Sequence, residues 1–215
     1  MRGSFEKQNW EDEMNEENPW PRKGDSLFIS DTDWWHNACL NYPGIDINAY
    51  AIGYKQAADF LVQYVSQERR YQDTLVYPIA FLYRQYLELR LKQLIRSGSM
   101  LLDILHNSKK PHHGIYQYWK QCRSILENIW PNEKAADFNI IEECVAEFVR
   151  VDPSSTGFRY PTSKNGSLSL EGLTHINLRN LGEVMNRIAA LLDSASTGIE
   201  ELIQNKNDVE SWGKG

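Results

Sequence analysis

The sequence predicts an all-α fold: a helical bundle of about five main helices, with a small β-hairpin or hairpin-like loop before the last one. Three observations carry that prediction. Apolar residues recur at i, i+3, i+4 and i+7 through most of residues 47–205. Caps and stops (Asp46, Ser97-Gly98-Ser99, Pro131, Asp152-Pro153) fall between the periodic stretches. The segment around Asn165-Gly166 departs from this pattern and alternates with a turn at its centre.

Composition bounds the rest. With 41% hydrophobic and 12% aromatic residues, a chain of 215 can bury a sizeable core, which excludes disorder throughout. No run of about 18 apolar residues occurs, so no membrane span is expected. The net charge of −6 argues against a broad nucleic-acid-coating surface, though not against a local basic groove. Cys39, Cys122 and Cys144 are scattered and form no CxxC pair, which points to a reducing compartment. Residues 1–26 are charged and lack an apolar leader stretch, so a cytoplasmic location is the expectation.

Taken in order, residues 1–26 read as an acidic tail, in which Trp10 and Trp20 are candidate docking residues for a protein partner. Residues 27–205 read as a single helical domain, and 206–215 as a fraying end. Asp46 is placed to N-cap a first helix with the stripe Tyr50, Tyr54, Ala57, Leu61 and Tyr64. A second helix runs from Asp73 to Arg96, with Pro78 in its early turns and Ser97-Gly98-Ser99 as its stop. The third follows His112-His113-Gly114, carries Ile115, Tyr118, Trp119, Cys122, Leu126 and Ile129, and ends at Pro131. The fourth spans residues 133–149 and aligns Ala136, Cys144, Val145 and Phe148. Phe158-Arg159-Tyr160-Pro161 and Ser167-Leu168-Ser169-Leu170 then flank Ser163-Lys164-Asn165-Gly166, where Asn-Gly suits a type I′ turn. The last helix begins after Asn177 with the stripe Leu178, Leu181, Met185, Ile188, Leu192, Ala195, Ile199 and Leu202, and Gly198 marks a bend. The second and last helices carry apolar surface to spare, so a homodimer through one of them is expected.

Chemistry is sparser. On a helical wheel Arg84 and Glu88 fall inside the apolar arc of the second helix, where charge is costly unless paired. Either they form an internal ion pair, or they line a ligand or catalytic pocket between helices. Arg159 and Tyr160 are a second candidate, since the planar fork of Arg suits phosphate or carboxylate. The competing reading turns Phe158 and Tyr160 inward and leaves Arg159 solvated. His113, at a helix start behind Lys109-Lys110, has the character of a general base near a phosphate site, or of a solvated loop residue. His36 and Cys39 have the spacing of half a zinc site with no second half. There is no P-loop and no G-x-G-x-x-G, so no metal and no cofactor are expected.

Three segments together resemble the HEPN-like superfamily of prokaryotic helical proteins. Tyr77 to Lys92, with Arg84 and Glu88 in R-x3-E-L-x-L-K, is similar to that group's second helix. His113, then Ile115 and Trp119, is similar to its G-H-D-L…L-W entry, with Gly114 where Asp is usual. Phe158-Arg159-Tyr160-Pro161 resembles a recurring F-R-Y-P before the last helix. The resemblance covers about residues 47–200 and implies a bundle that often dimerises, within a superfamily rich in ribonuclease toxins and defence effectors. Its hallmark R-x4–6-H is missing: no Arg lies five to seven residues before His36, His106, His112, His113 or His175. The leading expectation is therefore a binding or regulatory module, in a stress or phage-defence setting, holding a nucleotide or RNA phosphate at Arg84, Glu88, Arg159 and Tyr160. One alternative is a metal-independent ribonuclease in which Arg84 and Arg159 stabilise charge, Glu88 assists and His113 moves the proton. The other is a purely structural subunit.

Overall fold

The computed structural model describes residues 20–30, 32–40, 46–104, 114–131 and 135–212. Contacts divide the chain into two units, Met1–Pro43 and Gly44–Gly215. In the first, the described residues form a single 3-10 turn at Trp34–His36, braced by a 2.6 Å contact from Asp33 Oδ2 to His36 Nδ1. Leu27, Phe28, Ile29, Trp34, Trp35 and Leu40 are all exposed there. Trp10, His106, Lys109, Lys110, His112 and His113 lie outside the described residues.

Among its described residues the second unit holds five helices: α1 (Ile47–Glu68), α2 (Gln72–Leu101), α3 (Ile115–Ile129), α4 (Ala135–Val151) and α5 (Leu178–Trp212). It is an all-helical bundle built around α2, which packs on α1, α3 and α5, while α4 packs on α3. Among the described residues no helix is long and apolar enough to cross a membrane.

Asp46 caps α1 as its sequence position suggests, accepting from the Asn48 amide at 2.9 Å. The face that α1 buries overlaps the predicted stripe only in part: Tyr54 and Leu61 pack against the core. Ala51, Ala58 and Val65 point inward, while Tyr50, Phe60 and Tyr64 are exposed. Small side chains spaced by seven let the α1 backbone lie close to α2, and the large rings are pushed to the outside. Tyr83 of α2 sits in the resulting joint, fully buried, and its hydroxyl donates to Asp59 Oδ1 at 2.8 Å.

α2 does not stop at Ser97-Gly98-Ser99 but runs on to Leu101. Ser97 Oγ donates back to the Gln93 carbonyl at 3.0 Å, which satisfies its hydroxyl within the helix. Gly98 is a contact point rather than a terminator: a Cβ there would lie 2.4 Å from Ile125 Cγ2 of α3. Trp119 of α3 is fully buried and meets Phe138 of α4 edge to face, with centroids 6.0 Å apart. α5 continues to Trp212, beyond the fraying point expected near residue 206; Lys206 Nζ ties it to Asp103 Oδ2 at 2.6 Å. Gly198, read from the sequence as a bend, lies within the continuous α5 and packs closely against the Trp130 ring.

Between α4 and α5 the chain forms a hairpin-like loop with one antiparallel bridge, Thr162 to Leu168. Its turn is not type I′, since Gly166 has φ +84° and Asn165 has no positive φ. Gly166 N donates to Ser163 O at 3.0 Å, and the Asn165 side chain accepts from the Ser167 hydroxyl at 2.8 Å. Asn165 thus serves as a side-chain acceptor, and glycine alone takes the left-handed position.

Candidate functional site

The candidate site lies along one face of α2 and the loop that follows α4. Tyr77, Phe81, Arg84, Glu88 and Lys92 succeed one another at three- or four-residue spacing, so they form a continuous stripe. Arg84 is 3% exposed, and among the described residues it makes no hydrogen bond. Its Nε and Nη1 are sealed from solvent without a partner. Burial lowers its pKa from the ordinary value, opposed by the charges of Asp152 and Glu88.

The expected Arg84–Glu88 pair is not formed. Glu88 bonds instead to Lys92, one turn further on, at 2.6 Å. A Glu followed by Lys at i+4 is the favoured orientation on a helix. Lys92 Nζ also lies 5.0 Å from the centroid of the Tyr118 ring. Burial opposes its charge, but the Glu88 hydrogen bond prevails and its pKa is raised.

Asp152, beyond the end of α4, was read in the sequence only as a helix stop. It is 3% exposed, and its Oδ1 accepts from the Thr156 and Gly157 amides, each at 2.9 Å. A Cβ on Gly157 would lie 2.9 Å from Leu170 Cδ2 and 3.2 Å from Asp152 Oδ1, so the loop is closely packed at that place. This tight fold buries Phe158 and sets Arg159 beside it.

Arg159 is exposed, with its Nε donating to the Ser155 carbonyl at 2.9 Å. Its guanidinium carbon lies 5.6 Å from the centroid of Phe81 and 5.6 Å from that of Tyr160. Phe81 is one turn before Arg84 on the same stripe of α2, but among the described residues no hydrogen bond or ion pair joins Arg159 or Tyr160 to Arg84 or Glu88. Of the inward alternation, Phe158 turns in and Tyr160 does not: its ring is 56% exposed.

A second polar constellation was not anticipated. Arg90 and Gln93, further along α2, are both buried. Arg90 Nη1 donates to Asn48 Oδ1 at 2.6 Å, and Nη2 pairs with Asp193 Oδ1 at 2.9 Å. Tyr86 OH donates to the same Asp193 oxygen at 3.1 Å. Gln93 Nε2 donates to Ser196 Oγ at 2.9 Å. The sequence signal is two polar series at helical spacing, Tyr86-Arg90-Gln93 on α2 and Asp193-Ser196-Glu200 on α5. Arg90 also seals its Nε without a partner, but unlike Arg84 it has both Nη atoms met by protein groups, so this cluster fastens α1, α2 and α5.

Among the described residues no three His, Cys, Asp or Glu side chains converge as a metal set. No protein-family model matches the chain, and no curated protein or solved structure matches it either.

Proposed function

We propose that the chain is a helical binding module, HEPN-like in character, that takes a nucleotide or RNA phosphate at Arg84, with Arg159 and Tyr160 at the rim. The observation that carries this reading is Arg84 itself: a guanidinium 3% exposed, with two nitrogens unpartnered. A buried charge without hydrogen bonds costs several kcal/mol, and an anionic oxygen is the group that best removes that cost. The neighbouring carboxylates compete weakly for it, because Glu88 is held by Lys92 and Asp152 by two backbone amides. Arg159 is anchored at Nε and braced by two rings, which leaves the rest of its fork pre-oriented for a second oxygen. The half-exposed Tyr160 ring offers a stacking surface for a base.

Calorimetric titration with uridine monophosphate, with uridine and with a short single-stranded RNA tests the reading. Uridine monophosphate and the RNA are expected to bind, uridine at least about 10-fold more weakly, and Arg159→Ala to weaken the two phosphate-bearing ligands by about 10-fold. Equal or absent binding of all three would overturn it. Incubation with total RNA separates binding from cleavage; intact RNA is the expected result.

A further inference from the structure

Arg84, Glu88 and Lys92 follow one another at four-residue spacing on α2, so Glu88 has a cation one turn away on each side. The two cations are not equivalent. The Lys92 side chain is one-third exposed, whereas Arg84 is 3% exposed with Nε and Nη1 sealed and unpartnered. Attraction between opposite charges grows as water is excluded, so an unclaimed Glu88 carboxylate would turn to Arg84. Instead Lys92 Nζ donates to Glu88 Oε1 at 2.6 Å.

The neighbouring helix tips that choice. The Lys92 ammonium lies 5.0 Å from the centroid of the Tyr118 ring on α3, which adds a cation–π contact to the Glu88 bond. α3 thereby fixes the head of Lys92, and Lys92 fixes Glu88. Burial opposes the Arg84 charge, and two carboxylates, Asp152 and Glu88, support it. Each is held elsewhere, Asp152 by two amides of its own loop and Glu88 by Lys92. We propose that Lys92 is a positioning residue for the Arg84 site: braced by Tyr118, it withholds Glu88 from Arg84 and so leaves the guanidinium open to a phosphate. It acts through Glu88 rather than by touching the ligand. Without Lys92, Glu88 swings back one turn to Arg84 and takes the place of the phosphate, so the chain competes with its own ligand. The effect on ligand affinity rests on the phosphate reading proposed above; the withholding of Glu88 does not, and the two are measured apart.

Unfolding in urea reads the withholding. Arg84→Met, Glu88→Gln and the double variant are compared in the wild-type chain and in a Lys92→Met background. Lys92 is partly exposed and methionine keeps its apolar stem, so the background is expected to fold. In the wild-type chain the two substitutions should act independently. In the Lys92→Met background their effects on the folding constant should be coupled by about 10-fold or more, because the pair forms only there. Coupling that fails to rise when Lys92 is removed would overturn the proposal. Titration with uridine monophosphate reads the consequence. Lys92→Met should weaken binding about 10-fold, and Glu88→Gln should raise affinity about 10-fold more in that background than in the wild-type chain. A lysine that itself held the phosphate would give a loss that Glu88→Gln does not recover, and that result would overturn the proposal. If the wild-type chain binds no uridine monophosphate, the phosphate reading falls, and the unfolding cycle alone upholds or overturns the withholding of Glu88.

Discussion

At the scale of single residues, the contrast between Arg84 and Arg90 is the informative one. Both are buried arginines on α2, yet Arg90 is met by Asn48, Gln93 and Asp193 and Arg84 by no hydrogen bond among the described residues. A charge with its partners in place stabilises the joint it sits in, so Arg90→Met should strand Asn48 and Asp193. Half of Asp193 reaches water and can rehydrate, which limits the cost to about 2–3 kcal/mol in urea unfolding. Glu88→Gln should do much less, within about 1 kcal/mol, since its partner Lys92 is itself one-third exposed. The wheel was enough to place Arg84 inward, because the apolar neighbours fix its direction. It could not choose the partner of Glu88, since Arg84 and Lys92 stand one turn away on opposite sides and the rotamer decides.

At the scale of elements, short contacts decide where helices lie. The Ser97-Gly98-Ser99 segment has the composition of a stop, but the structure uses its lack of side chain to seat α3. Gly98→Ala would press a methyl into Ile125, and overpacking of this kind costs about 1–3 kcal/mol; equilibrium unfolding should show that loss. The loop after α4 depends on Asp152 in the same way. Asp152→Ala removes the acceptor of a buried and a half-buried amide, so the loop should loosen and Arg159 should lose its seat against Phe81. Nucleotide affinity is then expected to fall about 10-fold, with Asp152→Asn recovering most of it because one oxygen remains. The order and number of helices were legible from apolar period and caps. The face of α1 was not: Tyr50-Ala57-Tyr64 and Ala51-Ala58-Val65 are both seven-residue series, and closeness of approach, which sequence does not display, selected the smaller one.

For the whole molecule, the buried phenols set the alkaline limit of stability. Burial, followed by the Asp59 hydrogen bond, raises the pKa of Tyr83 above its ordinary 10.0, and burial with the Asp193 charge raises that of Tyr86. The folded chain therefore holds the neutral phenols while an unfolded chain ionises them. Their contribution is complete below the ordinary value and is lost as pH climbs past it toward the raised folded values. Melting temperature should be flat to about pH 8, begin to fall as the buried Cys122 thiol, whose pKa burial raises from an ordinary 9.0, would ionise in the unfolded chain, and fall more steeply above about 10, with tyrosinate absorbance rising together with unfolding. Tyr83→Phe should make that fall shallower; an unchanged slope would show that Tyr83 does not set it.

The central claim is that Arg84 is kept for a ligand and not for folding. The measurement that tests it most directly is the unfolding free energy of wild type and Arg84→Met, each with and without uridine monophosphate. Without ligand, Arg84→Met should be as stable as wild type or more so, since the lost charge had no hydrogen bonds to lose. With ligand at 100 times its dissociation constant, wild type should gain about 2.7 kcal/mol and Arg84→Met almost nothing. A loss of about 3 kcal/mol or more in the unliganded variant, or an equal gain in both proteins, would contradict the claim.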